Sequence, residues 1–143
     1  MAIHFHTEDI RFDLKQKRRT KQWLKQIAER YSHHIDALQF IFCSDEYLLQ
    51  INQRYLNHDY YTDIVTFPYQ SNPIQSDIFI SIDRVKDNAS QLELPFENEL
   101  RRVIAHGLLH LCGLDDKTEE SKNAMRKEED LALVEWFAAT DTK

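Results

Sequence analysis

The chain has 143 residues, a length that suits one domain built around one hydrophobic core. Hydrophobic residues make up 42% of it and aromatic residues 11%, which is typical of a globular protein and argues against intrinsic disorder. There is no run of about 18 apolar residues, so the sequence predicts no membrane-spanning helix and no membrane partner. The net charge of −6 argues against a protein that coats nucleic acid nonspecifically.

The spacing of apolar residues predicts strands interleaved with helices. In chain order the predicted elements are an edge strand at 3–7, a helix at 14–31, a buried strand at 37–43, a helix at 44–55 capped by Ser44 or Asp45, a strand at 63–69 ended by Pro68, a strand at 78–82, a helix capped by Asp83, a helix opened by Pro95 and ended by Gly113, and a last amphipathic helix at 118–139. No repeat or linker divides the chain. We therefore expect residues 1–143 to form a single domain with an α+β sandwich fold, about four strands in one sheet and about five helices.

The predicted helix at 14–31 is basic although the whole chain is acidic. Between Arg11 and Arg30 there are eight basic residues and two acidic ones, which gives this segment a net charge of +6. The pattern indicates either a solvated helix face or a surface that contacts phosphate groups, and the sequence leaves both open.

Two features predict a cytoplasmic location. Residues 1–14 lack the charged start, apolar stretch and small-residue cleavage site of a secretory signal. Cys43 and Cys112 are the only cysteines, too few for a disulfide framework and in keeping with a reducing compartment.

The segment HGLLHLCGLDD, residues 106–116, predicts a divalent metal site. Residues four apart on a helix have Cβ atoms roughly 5–6 Å apart, so His106 and His110 can bind one ion together. Gly113 can turn the chain in a left-handed conformation and bring Asp115 or Asp116 back as a third ligand. Three protein ligands and one open position are typical of a catalytic zinc site, although either aspartate could instead cap the next helix.

Both glycines of the chain lie in this segment. Gly107 is inside the predicted helix, where glycine costs about 0.5–1 kcal/mol relative to alanine. Its position indicates close approach of a backbone or a substrate, or a packing contact against a strand. Cys112 lies on a different helix face from the histidines and is not a predicted ligand.

The spacing H-x3-H-x5-D is similar to that of zincin and metzincin proteases, and it predicts a zincin/metzincin-like arrangement. Those enzymes use H-E-x-x-H, in which the glutamate is the general base. Here Gly107 occupies that position. Peptide hydrolysis by that mechanism is therefore not expected.

Several segments resemble the YbeY family, bacterial metal-dependent endoribonucleases that mature ribosomal RNA. HGLLHLCGLDD resembles the family signature HGxLHLxGxDH, TDIVTFPY at 62–69 resembles TDVLSFP, and DIFIS at 77–81 resembles GDIxIS. Asn52 and Tyr55 fit the helix before these segments, and Met125 and Glu129 fit the closing helix. The resemblance covers about residues 37–135 in the family's order and spacing.

Two departures from the family pattern bear on activity. The family's third ligand is usually histidine, and this chain has Asp116 there. Aspartate binds zinc at about 2.0–2.2 Å, and its charge makes the metal a weaker Lewis acid. The family's usual arginine after the tyrosine is replaced by Leu56, and Arg54 would face another side of the helix.

The resemblance implies a single-strand-specific endoribonuclease that acts in maturation of the 16S rRNA 3′ end and in ribosome quality control. His106, His110 and Asp116 would be its metal-binding and catalytic residues, with one zinc ion per chain. Its expected partners are ribosomal RNA and the small ribosomal subunit or its assembly factors. The 2′-hydroxyl of RNA can serve as nucleophile, and Asp115 could orient a histidine from behind.

Two alternatives remain at this point. One is a metal-dependent hydrolase of peptides or small molecules. The other is a catalytically weak, zinc-containing ribosome-assembly module, in which a fourth protein ligand, His58 being the best remote candidate, would close the site. Four aromatic residues could stack on RNA bases, although core packing is the favoured role for them: Tyr60, Tyr61, Phe67 and Tyr69.

Overall fold

A computed structural model describes the backbone of residues 2–141 and the side chains of residues 2–138, so positions 1, 142 and 143 of the predicted domain lie outside it. The described chain contains four strands and five helices, which confirms the predicted α+β class. The strands are β1 (Ala2–Thr7), β2 (Ile35–Cys43), β3 (Ile64–Ser71) and β4 (Ile74–Ser81). The helices are α1 (Lys17–Arg30), α2 (Asp45–Leu56), α3 (Ile82–Leu92), α4 (Phe96–Leu111) and α5 (Glu119–Asp141).

The four strands form one sheet in the order β1-β2-β4-β3. β1, β2 and β4 run parallel to one another, and β3 pairs antiparallel with β4 at the edge. The central strands β2 and β4 are rich in isoleucine and phenylalanine, which is typical of strands covered on both faces. No helix among residues 2–141 is long and apolar enough to cross a membrane.

The main hydrophobic core lies between one face of the sheet and the helices. Leu38, Phe40 and Ile78 of the sheet are fully buried there, together with Leu100 and Leu108 of α4. Cys43, Leu48 and Val65 form a smaller buried cluster that is separate from this core. Leu48 is the member that α2 supplies. One face of α4 packs on the main core, and His106 and His110 lie on its more polar face.

Gly107 brings α4 close to the sheet. A Cβ atom at this position would lie 2.8 Å from Cδ1 of Ile64 and 3.3 Å from Cδ1 of Ile78. Atoms of β3 and β4 therefore occupy the space that a side chain would need. Of the two roles that the sequence left open for Gly107, the structure supports the packing contact.

The predicted end of the third strand at Pro68 is wrong. β3 continues to Ser71, and Pro68 pairs with Ser76 of β4, with an irregularity before Gln70. Proline has no N–H to donate, but an edge strand has a neighbour on one side only. Pro68 is therefore tolerated inside β3.

Of the two helix caps considered for α2 and α3, one is confirmed. Of Ser44 and Asp45, Ser44 caps α2, and its Oγ accepts a hydrogen bond from the N–H of Tyr47 at 3.1 Å. The predicted cap at Asp83 is wrong, because Ser81 caps α3 and its Oγ accepts from the N–H of Arg84 at 3.1 Å. A serine hydroxyl satisfies a free N–H at a helix start as well as a carboxylate does.

Neither Asp115 nor Asp116 caps the last helix. Thr118 precedes α5, and its Oγ1 accepts a hydrogen bond from the N–H of Ser121 at 3.0 Å. The alternative role for the two aspartates is therefore wrong, and both are left in the turn between α4 and α5.

Candidate metal centre

His106 and His110 lie one turn apart at the C-terminal end of α4. Their ring centroids are 4.5 Å apart, with ring planes at 82°. Beyond them the helix ends in a turn in which the N–H of Gly113 donates to the carbonyl of His110 at 3.0 Å, and the N–H of Leu114 donates to that of Leu109 at 3.1 Å. Gly113 has a φ of 102°, which favours glycine. This turn reverses the chain toward the histidines, as predicted.

Asp116 is the aspartate that the turn places beside both histidines. Its Oδ2 lies 3.6 Å from Nε2 of His106, and its Oδ1 lies 3.7 Å from Nε2 of His110. The candidate ligand atoms of the three residues all lie within 4.8 Å of one another. Ligands about 2.1 Å from a tetrahedral ion are roughly 3.4 Å apart, so these separations fit a metal ion held between them.

Asp115 has a different environment. Its Oδ1 accepts a hydrogen bond from the N–H of Lys117 at 3.2 Å. Hydrogen bonds from Ser121 and Lys117 hold the pKa of the Asp115 carboxyl below its ordinary value. Asp115 therefore stabilises the turn, and it lies outside the group of potential ligands in the described chain.

Glu129 of α5 orients His106 from behind. Its Oε2 lies 2.6 Å from Nδ1 of His106, which places the ring proton on Nδ1. Burial alone would raise the pKa of Glu129, but hydrogen bonds from His106 and Arg102 outweigh it, and the pKa lies below its ordinary value. Nε2 of His106 then has a lone pair directed at the Asp116 carboxylate. A metal ion can bind two such acceptors together.

Arg102 in turn holds Glu129. Its NH1 donates to Oε1 of Glu129 at 3.0 Å, and its Nε donates to Oε1 of Glu99 at 2.8 Å. Glu99 is 0% exposed and Glu129 2% exposed. The buried chain of contacts therefore runs from Glu99 through Arg102 and Glu129 to His106.

Arg102 and Glu99 were not assigned from the sequence, where Asp115 was considered for the role that Glu129 has. One signal was available: Glu99, Arg102 and His106 are spaced by three and four residues and so share one face of α4. The pairing of Arg102 with Glu129 joins residues 27 positions apart, and local spacing does not reveal it.

A cleft of about 330 Å³ opens beside His106 and Asp116. Its lining residues are Asp63, Arg102, Val103, His106, Asp116, Lys122, Met125, Arg126 and Glu129. Asp63, the residue before β3, was not assigned a role from the sequence. Burial raises its pKa, and its Oδ2 accepts a hydrogen bond from Nδ2 of Asn88 at 3.3 Å.

The structure does not bring the other sequence candidates to this cleft. His58 stacks on Tyr60 and does not join the candidate ligands. The ligand group in the described chain therefore has three members, His106, His110 and Asp116. Leu56 ends α2, is 38% exposed and is absent from the cleft lining.

The favoured core role is wrong for three of the four aromatic candidates. Tyr60, Tyr61 and Tyr69 are 46–66% exposed, and only Phe67 is packed against a buried cluster.

Part of the basic charge on α1 is paired, since Lys17 contacts Asp13 at 2.8 Å. Arg30 pairs with Glu128 and Glu135 of α5, and the guanidinium of Arg19 stacks on the ring of Trp136, so only part of the basic charge of α1 faces solvent.

Comparison with known proteins agrees with this site. A family model described as Endoribonuclease YbeY matches residues 2–136. The chain belongs to this family. The match includes all three candidate ligands, together with Glu129 and Arg102, and it confirms the resemblance found in the sequence.

Curated relatives extend the likeness over nearly the whole chain. Endoribonuclease YbeY of Cytophaga hutchinsonii is 51% identical over 134 residues, covering 92% of this chain and 94% of the relative. The Bacteroides fragilis protein of the same name is 46% identical over 135 residues, covering 94% and 97%. The solution structure of TM1509 from Thermotoga maritima is also similar, with a TM-score of 0.66 at 25% identity, covering 99% of this chain and 96% of that one.

Proposed function

We propose that this protein is a metal-dependent endoribonuclease that cleaves single-stranded RNA in the maturation of the 16S rRNA 3′ end and in ribosome quality control. His106, His110 and Asp116 are its proposed metal ligands and catalytic residues. Membership of the endoribonuclease YbeY family supports RNA as the substrate. The alternatives of a peptide hydrolase and of a non-catalytic assembly module are not favoured by these relatives.

The observation that carries the proposal is the position of Asp116 opposite the two Nε2 atoms, 3.6 Å and 3.7 Å away. Two imidazoles and one carboxylate suit zinc and several other first-row ions. We propose one zinc ion per chain. His106, His110 and Asp116 remain 18%, 31% and 43% exposed, which leaves one side of the site open to a substrate, as in zincin-like enzymes.

The charges of the cleft also suit RNA. Among its lining residues three carboxylates balance three cations: Asp63, Asp116 and Glu129 against Arg102, Lys122 and Arg126. A bound dication therefore leaves the cleft with an excess of positive charge. Such a surface attracts a phosphodiester more than it attracts a neutral peptide.

A bound divalent ion would act as a Lewis acid on a phosphoryl oxygen. The protein's own part is to hold the ligands in place. Glu129 keeps the proton of His106 on Nδ1 and its Nε2 lone pair toward the ligand group, and Arg102 fixes Glu129. RNA carries its own 2′-hydroxyl, so cleavage needs no nucleophile from the protein.

We propose that residues 1–143 form a single hydrolase domain that acts in the cytoplasm. Its proposed partners are ribosomal RNA and the small ribosomal subunit or its assembly factors.

The proposal is tested by incubating metal-loaded protein with single-stranded RNA and, separately, with an unstructured protein. We expect cleavage of the RNA only, and loss of that cleavage with a chelator. The His106→Ala and His110→Ala variants should cleave at the background rate, whereas His58→Ala, which removes a histidine outside the group, should match the wild type. RNA cleavage that persists in the first two variants would contradict the mechanism.

A further inference from the structure

Three residues of α5 form a stripe along the wall of the cleft. Lys122, Arg126 and Glu129 are spaced by four and three residues, so they share one helix face, and all three line the cleft. Glu129 is buried against His106 at the inner end. Arg126 has a side chain that is 59% exposed, and Lys122 is exposed one turn further out. The stripe therefore leads from the candidate metal centre to solvent.

Neither cation of this stripe has a carboxylate at hydrogen-bond distance among the described residues. Nε of Arg126 lies 3.9 Å from Oε1 of Glu129, too far for a hydrogen bond. That carboxylate is already held by Arg102 at 3.0 Å and His106 at 2.6 Å. In the part of the chain that the structure describes, no carboxylate lies within ion-pair distance of the Lys122 ammonium.

Two basic side chains elsewhere in the protein show what a close carboxylate partner looks like. Lys17 lies 2.8 Å from Asp13, and NH2 of Arg84 lies 2.6 Å from Asp45. In a chain with a net charge of −6, Lys122 and Arg126 lie one turn apart on a cleft wall without a hydrogen-bonded carboxylate, so both can bind an anion from outside.

We infer that Lys122 and Arg126 form a phosphate clamp, which binds the backbone of the RNA on one side of the phosphodiester that is cut. This inference rests on the proposed function, because it takes the RNA to enter the same cleft. The guanidinium of Arg126 supplies paired N–H donors to phosphate oxygens, and the Lys122 ammonium adds a point charge one turn further out. The clamp binds substrate but does not touch the reacting group, so it contributes to KM and not to kcat.

The clamp is tested with the metal-loaded double variant Lys122→Gln/Arg126→Gln and single-stranded RNA. We expect KM to rise about tenfold with kcat unchanged within twofold. The slope of log(kcat/KM) against log salt concentration should become shallower by about 0.7 for each phosphate group that the variant no longer binds. The single variant Arg126→Lys, which keeps both positive charges, should retain most of the wild-type affinity for RNA.

The matched control is Lys86→Gln/Lys127→Gln, which removes the same charge from exposed positions outside the cleft lining. Its KM and salt slope should stay near the wild-type values, and all variants should bind the same amount of metal. Equal KM values and slopes in the two double variants would overturn the clamp, as would a fall in kcat at constant KM. Absence of RNA cleavage by the wild type would instead overturn the proposed function.

Discussion

Two of the hollows in the described part of the protein are similar in size but differ in their linings. The cleft beside α4 and α5 has a volume of about 330 Å³ and six charged lining residues. A second hollow of about 380 Å³, here called the aromatic groove, is lined by Tyr47, Ile51, Tyr55, Phe67, Tyr69, Asp77 and Phe79. Asp77 is its one charged lining residue, and the hydroxyl of Tyr69 donates to it at 2.9 Å.

The candidate site differs from the aromatic groove in how firmly its polar groups are held in place, and not in its volume. In the cleft, buried Glu99, Arg102 and Glu129 hold one another and one histidine. In the groove, Tyr55 and Tyr69 are 60% and 66% exposed. The polar groups beside the cleft are thus buried and held in place, which suits the fixed geometry that a metal ion would require. The groove lining has no polar group of comparable burial.

The largest effect in this comparison is expected for Glu129→Gln. Glutamine keeps one acceptor oxygen where the carboxylate has two, so it cannot accept from both His106 and Arg102, and metal affinity should fall by about 10–100-fold. The free energy of unfolding should fall by about 1.5–3 kcal/mol, the contribution of hydrogen bonds to a charged group. Metal titration and urea unfolding measure the two losses, and unchanged metal affinity would show that Glu129 does not orient His106.

The loss of stability in this variant should depend on pH. The pKa of Glu129 is lowered in the folded protein, so its stabilising contribution is present above the ordinary glutamate pKa and disappears as the pH falls through the folded value. The difference between wild type and Glu129→Gln should therefore be largest near neutral pH and shrink in acid. A difference that grows in acid would contradict this assignment.

A smaller effect of opposite sign is expected for Asp63→Asn. Burial raises the pKa of Asp63, so the folded metal-free protein loses stability as the pH rises through that value. The amide does not ionise, and its oxygen can still accept from Asn88. The variant should unfold at a higher temperature than the wild type at about pH 7.5 and gain nothing at about pH 4. Equal melting temperatures at both pH values would contradict the raised pKa of Asp63.

The smallest effect is expected in the aromatic groove. The double variant Tyr55→Ala/Tyr69→Ala removes two exposed rings that do not line the cleft. Metal affinity should stay within about twofold of the wild type, because distant sites without shared partners act independently. A larger change in a calorimetric titration would mean that groove and cleft are coupled.

Much of the fold follows from local sequence patterns. The number of strands and helices, the Ser44 cap and the turn at Gly113 were predictable because periodicity and cap chemistry act over a few residues. The end of β3 was not, because a proline ends a central strand but not an edge strand, and edge position is a property of the whole sheet.

The candidate site was predictable in part. Local spacing was enough to group His106, His110 and Asp116, which lie within eleven consecutive residues. The role of Glu129 depends on how α5 packs on α4, and the cleft-lining position of Asp63 depends on where β3 begins. Those placements are set by tertiary packing, which spacing along the chain does not record.

The central claim is that Asp116 completes a three-ligand metal site and Asp115 does not. The most direct test is a zinc titration of chelator-stripped Asp116→Ala beside Asp115→Ala, two variants that remove the same group from neighbouring positions. Loss of a ligand should weaken zinc binding by more than about 100-fold in Asp116→Ala, a larger loss than removal of a supporting residue causes. The zinc affinity of Asp115→Ala should stay within about threefold of the wild type. Equal affinities in the two variants, or a greater loss in Asp115→Ala, would contradict the claim.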